Sequence, residues 1–131
     1  MEKLYQAALQ AYNNAYVPYS KFRVGAAILL KNGEIINGCN VENSSYGLCN
    51  CAERTTLFTA YAKGYRKDDI VKMIVLANTD RPCSPCGACR QVMSELLNPD
   101  VEVILTNIKK DVKVMTVSEL LPYAFTEEDL Y

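Results

Sequence analysis

The cysteines constrain this chain more than any other feature, because the sequence contains six cysteines and no histidine. One cysteine opens the run Cys51-Ala-Glu-Arg, and two more belong to Pro85-Cys86-Gly-Ala-Cys89. Soft sulfur ligands suit zinc, and a zinc ion held by three protein ligands keeps a fourth position open for water. A fold that uses this metal must therefore bring residue 51 and residues 86–89 to one point.

The sequence pattern places these cysteines where two helices begin. Small and apolar residues recur at helical spacing after Cys51, and again from Cys86 to Leu97. Helix N-termini carry a partial positive charge and unpaired N–H groups, so a thiolate placed there has a lowered pKa. Cys86 and Cys89 are three residues apart and share one helix face. Two helix starts that point at one spot would gather the three sulfurs.

A carboxylate and a guanidinium follow the first of these cysteines. Glu53 is two residues from Cys51 and is predicted to exchange protons with the water rather than to bind the metal. A carboxylate in such a position contributes about 100- to 10,000-fold to a rate. Three thiolates over-compensate the charge of zinc, and we expect Arg54 to offset this excess by a hydrogen bond to a ligand sulfur, with Arg90 as a second candidate.

The rest of the pattern predicts an α/β protein with three layers, α/β/α, around a mixed five-stranded sheet. Residues 2–15 are predicted to form a helix, and Asn32-Gly33 is a typical hairpin turn. The predicted strands are, in chain order, residues 23–30, 34–41, 70–77, 101–105 and 112–117. The last two are predicted to be antiparallel, because residues 106–111 are too few for a parallel crossover.

Length and charge narrow the class of protein further. The 131 residues fit a single domain, 1–131. Fourteen basic and fifteen acidic residues give a net charge of -1, which is not the footprint of a nucleic-acid-binding protein. The longest apolar run, Val24 to Leu30, is too short to span a membrane, and the N-terminus does not resemble a signal peptide. We therefore expect a cytoplasmic protein whose clustered cysteines bind metal.

A cysteine two residues before a glutamate, followed by Pro-Cys-x-x-Cys, matches the signature of zinc nucleobase deaminases. Over nearly its whole length the chain resembles the tetrameric, all-cysteine class of cytidine deaminases. The similar segments are Tyr19–Ala26, Cys39-Asn40-Val41-Glu42-Asn43, Cys51-Ala52-Glu53-Arg54-Thr55, Pro85–Gln91 and Leu120–Phe125.

This resemblance implies a cytidine-deaminase-like fold and the hydrolysis of cytidine and 2'-deoxycytidine to uridine and 2'-deoxyuridine, with release of ammonia. It implies one zinc ion per chain, bound by Cys51, Cys86 and Cys89, with Glu53 as the catalytic proton carrier. It also implies a role in pyrimidine salvage and a homotetramer with sites at subunit interfaces.

The resemblance further implies contacts to the substrate. Asn40 and Glu42 would bind the ribose hydroxyl groups, and two polar residues one apart on a strand do face the same way. Phe22 would pack against the cytosine ring, with Phe125 supplied by another subunit. For each phenylalanine, the alternative to a substrate contact is a position in the hydrophobic core.

Three further positions follow from the same resemblance. Ser44 and Tyr46 would lie in a loop that reaches a neighbouring subunit's site, and Ala52 would offer backbone contacts to the base. Ser44 replaces an alanine that many relatives have, and Cys49 adds a thiol close to the proposed ligands.

Four alternatives remain open. A closed structural zinc site could use Cys49 or Cys83 as a fourth ligand, although these two cysteines and Cys39 suit ordinary small positions in strands or loops. A zinc-stapled binding module without catalysis, a nucleic-acid deaminase and a deaminase of a nucleoside antibiotic such as blasticidin S are the others.

Overall fold

The computed structural model of the protein describes residues 1–130. Its strands are β1 (Val24–Leu30), β2 (Ile35–Cys39), β3 (Ile70–Ala77), β4 (Glu102–Asn107) and β5 (Val112–Thr116). Its helices are α1 (Glu2–Asn13), α2 (Ala52–Ala62), α3 (Gly87–Leu96) and α4 (Val117–Leu120). Single 3₁₀ turns occur at Tyr46–Leu48, Lys67–Asp69 and Glu127–Asp129.

All five strands form one sheet in the order β2-β1-β3-β4-β5. Strands β3 and β4 are parallel, and every other neighbouring pair is antiparallel. Strands β4 and β5 pair from Glu102 opposite Thr116 to Thr106 opposite Val112, so the predicted antiparallel pairing is confirmed. The predicted turn between β1 and β2 also forms, with Gly33 at φ 89, a left-handed conformation that glycine adopts without strain.

Helices cover both faces of the sheet, which confirms the predicted three layers. Helix α1 packs on one face, where the buried residues are Leu4, Tyr5, Ala8, Ala27, Ile74, Leu76 and Ile104. Helices α2 and α3 pack on the other face over a larger core that includes Ile28, Leu57, Met73, Met93 and Val103. Within residues 1–130, every helix is too short or too polar to cross a membrane.

Helix α1 and strand β2 each end two residues earlier than the sequence pattern predicts. Helix α1 ends at Asn13 because the chain turns to pair with the end of β2, where the Tyr16 amide donates to the Asn40 carbonyl at 3.0 Å. Strand β2 ends at Cys39, since Val41 pairs instead with Asn50 through two hydrogen bonds of 3.0 Å. These connections draw the loop after β2 toward the start of α2.

Candidate active site

The sheet topology brings the starts of α2 and α3 to the same end of the sheet. Helix α3 is the crossover between the parallel strands β3 and β4, so it begins where β3 finishes, beyond Ala77. Helix α2 runs into β3 through a short connection and therefore begins at that end as well. The N-cap residues of the two helices are Cys51 and Cys86. The fold thus places both predicted ligand segments side by side.

The sulfur atoms of Cys51, Cys86 and Cys89 all lie within 4.8 Å of one another. The sulfurs of Cys51 and Cys86 are 3.9 Å apart. Tetrahedral zinc with bonds of about 2.3 Å separates its sulfur ligands by about 3.8 Å. The donor set and its spacing therefore fit a zinc ion with three protein ligands.

Arg54 supplies a positive charge beside these sulfurs. Its Nη2 donates to the Cys51 sulfur at 3.4 Å, as the sequence predicts, and this contact raises the pKa of Arg54. Its Nε is buried and finds no hydrogen-bond partner within residues 1–130. Arg90, the second candidate, directs its donors to oxygen atoms instead. Arg54 is therefore the residue that can offset the negative charge of three thiolates.

The thiols of Cys51 and Cys89 hold their protons with different strengths. Hydrogen bonds from Cys89, and then from Arg54, lower the pKa of the Cys51 thiol to about 5. The same contact with Cys51, together with burial, raises the pKa of Cys89. A metal cation bound here would replace the proton of the Cys89 thiol, because a thiol binds metal as the thiolate.

Glu53 is buried, with 4% of its surface exposed, in the first turn of α2. Burial raises the pKa of its carboxyl group, and the negative charge of Cys51 raises it further. A raised pKa brings a carboxyl group closer to the pH range in which it can both accept and release a proton, which general acid–base chemistry requires. Glu53 lines the same cavity as Cys51 and Cys86.

This cavity has a volume of about 310 Å³, within the range for a small-molecule site. Phe22 and Asn40, two predicted substrate contacts, lie in its wall. The cavity is also lined by residues of the loop after β3 that the sequence pattern did not indicate, namely Thr79, Arg81, Pro82, Cys83 and Ser84. The position of this loop was a usable signal, since it follows a buried strand and leads directly into Pro85-Cys86.

The structure does not bring Asn40 and Glu42 into one cavity. The Asn40 amide accepts from the Val24 N–H at 2.9 Å and donates to the Phe22 carbonyl at 2.8 Å. Glu42 lines a neighbouring cavity, where it accepts from Ser20 and Tyr19, and the Ser20 contacts lower the pKa of its carboxyl group. Strand periodicity does not extend to these residues, because β2 ends at Cys39.

The other predicted substrate contacts are spread over the surface and the core. Ser44 is exposed, Tyr46 is 77% exposed and Phe125 is 57% exposed, and none of them lines the 310 Å³ cavity of the part of the chain described. Tyr46 borders the cavity of Glu42 instead. Ala52 is fully buried as the first residue of α2, directly after Cys51. Their roles stay predictions.

The remaining cysteines stand apart from the three-sulfur group. The Cys83 thiol donates to the Val75 carbonyl at 3.1 Å, and burial raises its pKa to about 11. Cys49 contacts the backbone of Asn43. Among residues 1–130, the group that could hold a metal has three sulfurs and not four, which favours an open site over a closed structural one.

A three-layer fold that presents three cysteines and a buried glutamate at two adjacent helix starts defines the zinc-dependent deaminase class. The family model described as "Cytidine and deoxycytidylate deaminase zinc-binding region" matches residues 1–105. The chain therefore belongs to the cytidine and deoxycytidylate deaminase family.

Individual relatives are similar along almost the whole chain. The cytidine deaminase of Halalkalibacterium halodurans is 57% identical over 129 residues, which cover 98% of this chain and 96% of that protein. The cytidine deaminase of Sporosarcina psychrophila is 52% identical over 130 residues, which cover 99% and 94%. The crystal structure of cytidine deaminase from Burkholderia pseudomallei superposes with a TM-score of 0.92 at 54% identity, covering 95% of this chain and 98% of that one.

Proposed function

We propose that this protein is a zinc-dependent enzyme that hydrolyses cytidine and 2'-deoxycytidine to uridine and 2'-deoxyuridine and releases ammonia. The main support is the buried carboxyl group of Glu53, which shares one cavity with Cys51 and Cys86. The names and the 52% and 57% identities of the relatives described above point to the same reaction.

Cys51, Cys86 and Cys89 would hold one zinc ion per chain. Zinc bound in this way supplies Lewis acidity and lowers the pKa of water to about 7. Arg54 stabilises the Cys51 thiolate through its hydrogen bond of 3.4 Å, so that three negative ligands do not cancel the Lewis acidity.

Glu53 moves the protons of the reaction. It takes one proton from the attacking water, whose oxygen bonds to carbon 4 of the pyrimidine, and gives that proton to ring nitrogen 3. It then takes the second proton from the same oxygen and gives it to the amino group, which leaves as ammonia. The product keeps the oxygen at carbon 4 and the hydrogen at nitrogen 3, so atoms and charges balance. The raised pKa of Glu53 suits both transfers.

We assign the substrate contacts as the resemblance implies. Phe22 and Asn40 lie in the cavity wall and would contact the base and the ribose, and the backbone of Ala52 would contact the base. Glu42 would bind the ribose by sharing its carboxylate between Ser20 and a ribose hydroxyl group. Ser44, Tyr46 and Phe125 would complete the site of a neighbouring subunit.

The resemblance to the tetrameric class implies a homotetramer with its sites at subunit interfaces, and a site divided in this way requires more than one chain. The aromatic side chains of Tyr46 and Phe125 are exposed and lie outside the 310 Å³ cavity of their own chain, and aromatic residues are enriched at protein interfaces. Sedimentation equilibrium tests the assembly, and a monomer with full activity contradicts it. We also assign the protein, as a single domain spanning 1–131, to pyrimidine salvage in the cytoplasm.

A panel of substrates tests the activity. Zinc-loaded protein should remove the ultraviolet absorbance of cytidine and 2'-deoxycytidine and release one ammonia for each nucleoside consumed. A single-stranded oligonucleotide and blasticidin S complete the panel, and a preference for either replaces the nucleoside assignment. Zinc bound at one ion per chain without ammonia release from any compound identifies a binding module and overturns the proposal.

A further inference from the structure

The guanidinium of Arg90 joins two parts of the chain that are far apart in sequence. Its Nε donates to the Pro85 carbonyl at 2.9 Å, and its Nη2 donates to the Ser84 hydroxyl at 2.6 Å. Its Nη1 donates to the Leu120 carbonyl, at the end of α4, at 2.8 Å. Each of its three nitrogens therefore holds a different partner.

Two of these partners directly precede a proposed metal ligand. Ser84 and Pro85 form the segment that leads into Cys86, and Ser84 also lines the cavity. Cys86 is an exposed N-cap residue, so helix α3 alone does not fix the chain before it. Hydrogen bonds from a charged donor are about twice as strong as neutral ones, and the planar fork of arginine fixes direction as well as distance.

The third partner begins the C-terminal segment. Leu120 precedes Leu121–Phe125, and the next side chain on α3, Gln91, donates from its Nε2 to the Phe125 carbonyl at 3.0 Å. Residues 90 and 91 thus hold both ends of the segment that presents Phe125. Helix α3 contributes Cys86 and Cys89 at its start and holds this segment with its next two residues.

We propose that Arg90 is a positioning residue that fixes the approach of the chain to Cys86 and, through the Leu120 carbonyl, couples the metal centre to the C-terminal segment. The inference rests on the proposed metal centre and on the proposed contact of Phe125 with the substrate. Arg90 touches neither a sulfur nor the proposed substrate, and it acts only through the backbone that it holds.

Zinc release from the holoprotein tests this role without any measurement of turnover. Lysine at position 90 has one ammonium group and no fork, so R90K cannot hold all three partners at once. The transfer of zinc to a chromophoric chelator should become about tenfold faster or more, the range known for residues that orient metal ligands.

Arg66 offers a matched control. Its Nη1 also donates to two backbone carbonyls, those of Tyr61 and Tyr65, at 3.1 and 2.7 Å, but it lies between α2 and β3, away from the cavity. R66K should release zinc within about twofold of the wild-type rate. Equal acceleration by R66K and R90K would indicate general loosening and would overturn the proposal.

Steady-state kinetics distinguish the hold of Arg90 on the approach to Cys86 from the hold of Gln91 on Phe125. Q91A removes only the contact to Phe125, so it should raise KM with unchanged zinc release, whereas R90K should change zinc release, KM and kcat together. If R90K does not fold, S84A removes a single contact of the guanidinium and should still accelerate zinc release.

The outcomes are distinct. A wild-type protein that binds no zinc overturns the proposed metal centre and this inference with it. A wild-type protein that holds zinc, with R90K releasing it at the same rate, overturns the inference alone. Accelerated release by R90K, unchanged release by R66K and a change in KM alone for Q91A support it.

Discussion

Gly38 of strand β2 lies against Thr56 of helix α2 with no room for a side chain between them. A β-carbon at residue 38 would lie 2.6 Å from the Thr56 hydroxyl oxygen and 2.8 Å from the Thr56 amide nitrogen. Thr56 itself is fully buried, and its hydroxyl donates to the Ala52 carbonyl at 2.8 Å. This contact sets the distance from the sheet to the helix that presents Cys51 and Glu53.

We expect G38A to move α2 away from the sheet. Overpacking at a fixed backbone contact costs about 1–3 kcal/mol, and a shift at the start of α2 should also lower kcat/KM. Urea unfolding and steady-state kinetics measure both effects. The control is G47A, since a β-carbon at Gly47 meets no atom within 4 Å. Equal stability of G38A and G47A would show that the sheet and the helix separate without cost.

We expect E53Q to lose turnover while keeping the fold and the metal. The amide has the shape of the carboxyl group but cannot accept and return a proton, so kcat should fall about 100-fold or more. Because burial already raises the pKa of Glu53, a neutral amide should fit the site without loss of stability. Turnover and bound zinc are measured together. E102Q, at an exposed position on β4, serves as the control, and near-normal activity of E53Q contradicts the assigned proton transfer.

Removal of zinc should abolish activity reversibly. A strong chelator should inactivate the enzyme, and added zinc should restore it, because three thiolates bind zinc tightly yet leave one position accessible. C89S should bind little zinc, since it removes one of the three converging sulfurs. C39S alters a half-buried cysteine outside that group and should keep the metal. Full zinc content in C89S would refute the assigned ligand set.

We expect Cys83 to make the stability depend on pH in alkaline solution. Burial raises the pKa of its thiol from 9.0 to about 11, so the folded protein keeps a proton that the unfolded chain loses. This contribution is present below pH 9.0 and is lost as the pH rises toward about 11, with a total of about 3 kcal/mol.

The variant C83V isolates this contribution, because valine fills the buried position without a titrating group. The free energy of unfolding, measured by urea denaturation across this pH range, should fall more steeply for the wild type than for C83V. Parallel pH dependence of the two proteins would mean that the Cys83 thiol does not keep its proton.

Much of the fold follows from local pattern in the sequence. Strand β3 runs from Ile70 to Ala77, which is the predicted range. An apolar run of that length between a 3₁₀ turn and a proline-rich loop favours a buried strand. The starts of α2 and α3 were predicted to within a residue, since Cys51 and Cys86 precede clear helical spacing. The antiparallel direction of β5 was predicted from the short length of the connection between β4 and β5.

The details that were not predicted depend on contacts between distant segments. Glu42 accepts hydrogen bonds from Tyr19 and Ser20, more than twenty positions earlier, and it therefore lies outside the cavity of Asn40. Arg90 was expected near a sulfur, but its partners include Leu120, 30 residues away. No periodicity encodes such pairs, because they depend on how the finished layers meet.

Two of the three acceptors that Arg90 uses are carbonyl groups of the main chain, at Pro85 and Leu120. Every amino acid offers the same carbonyl, so the guanidinium recognises the path of the backbone and is indifferent to the side chains there. A substitution at residue 85 or 120 therefore leaves each carbonyl acceptor in the chain, whereas an insertion or deletion between residues 90 and 120 would displace the Leu120 carbonyl. For this contact, the number of residues between positions 90 and 120 therefore matters more than which amino acids supply the two carbonyl groups.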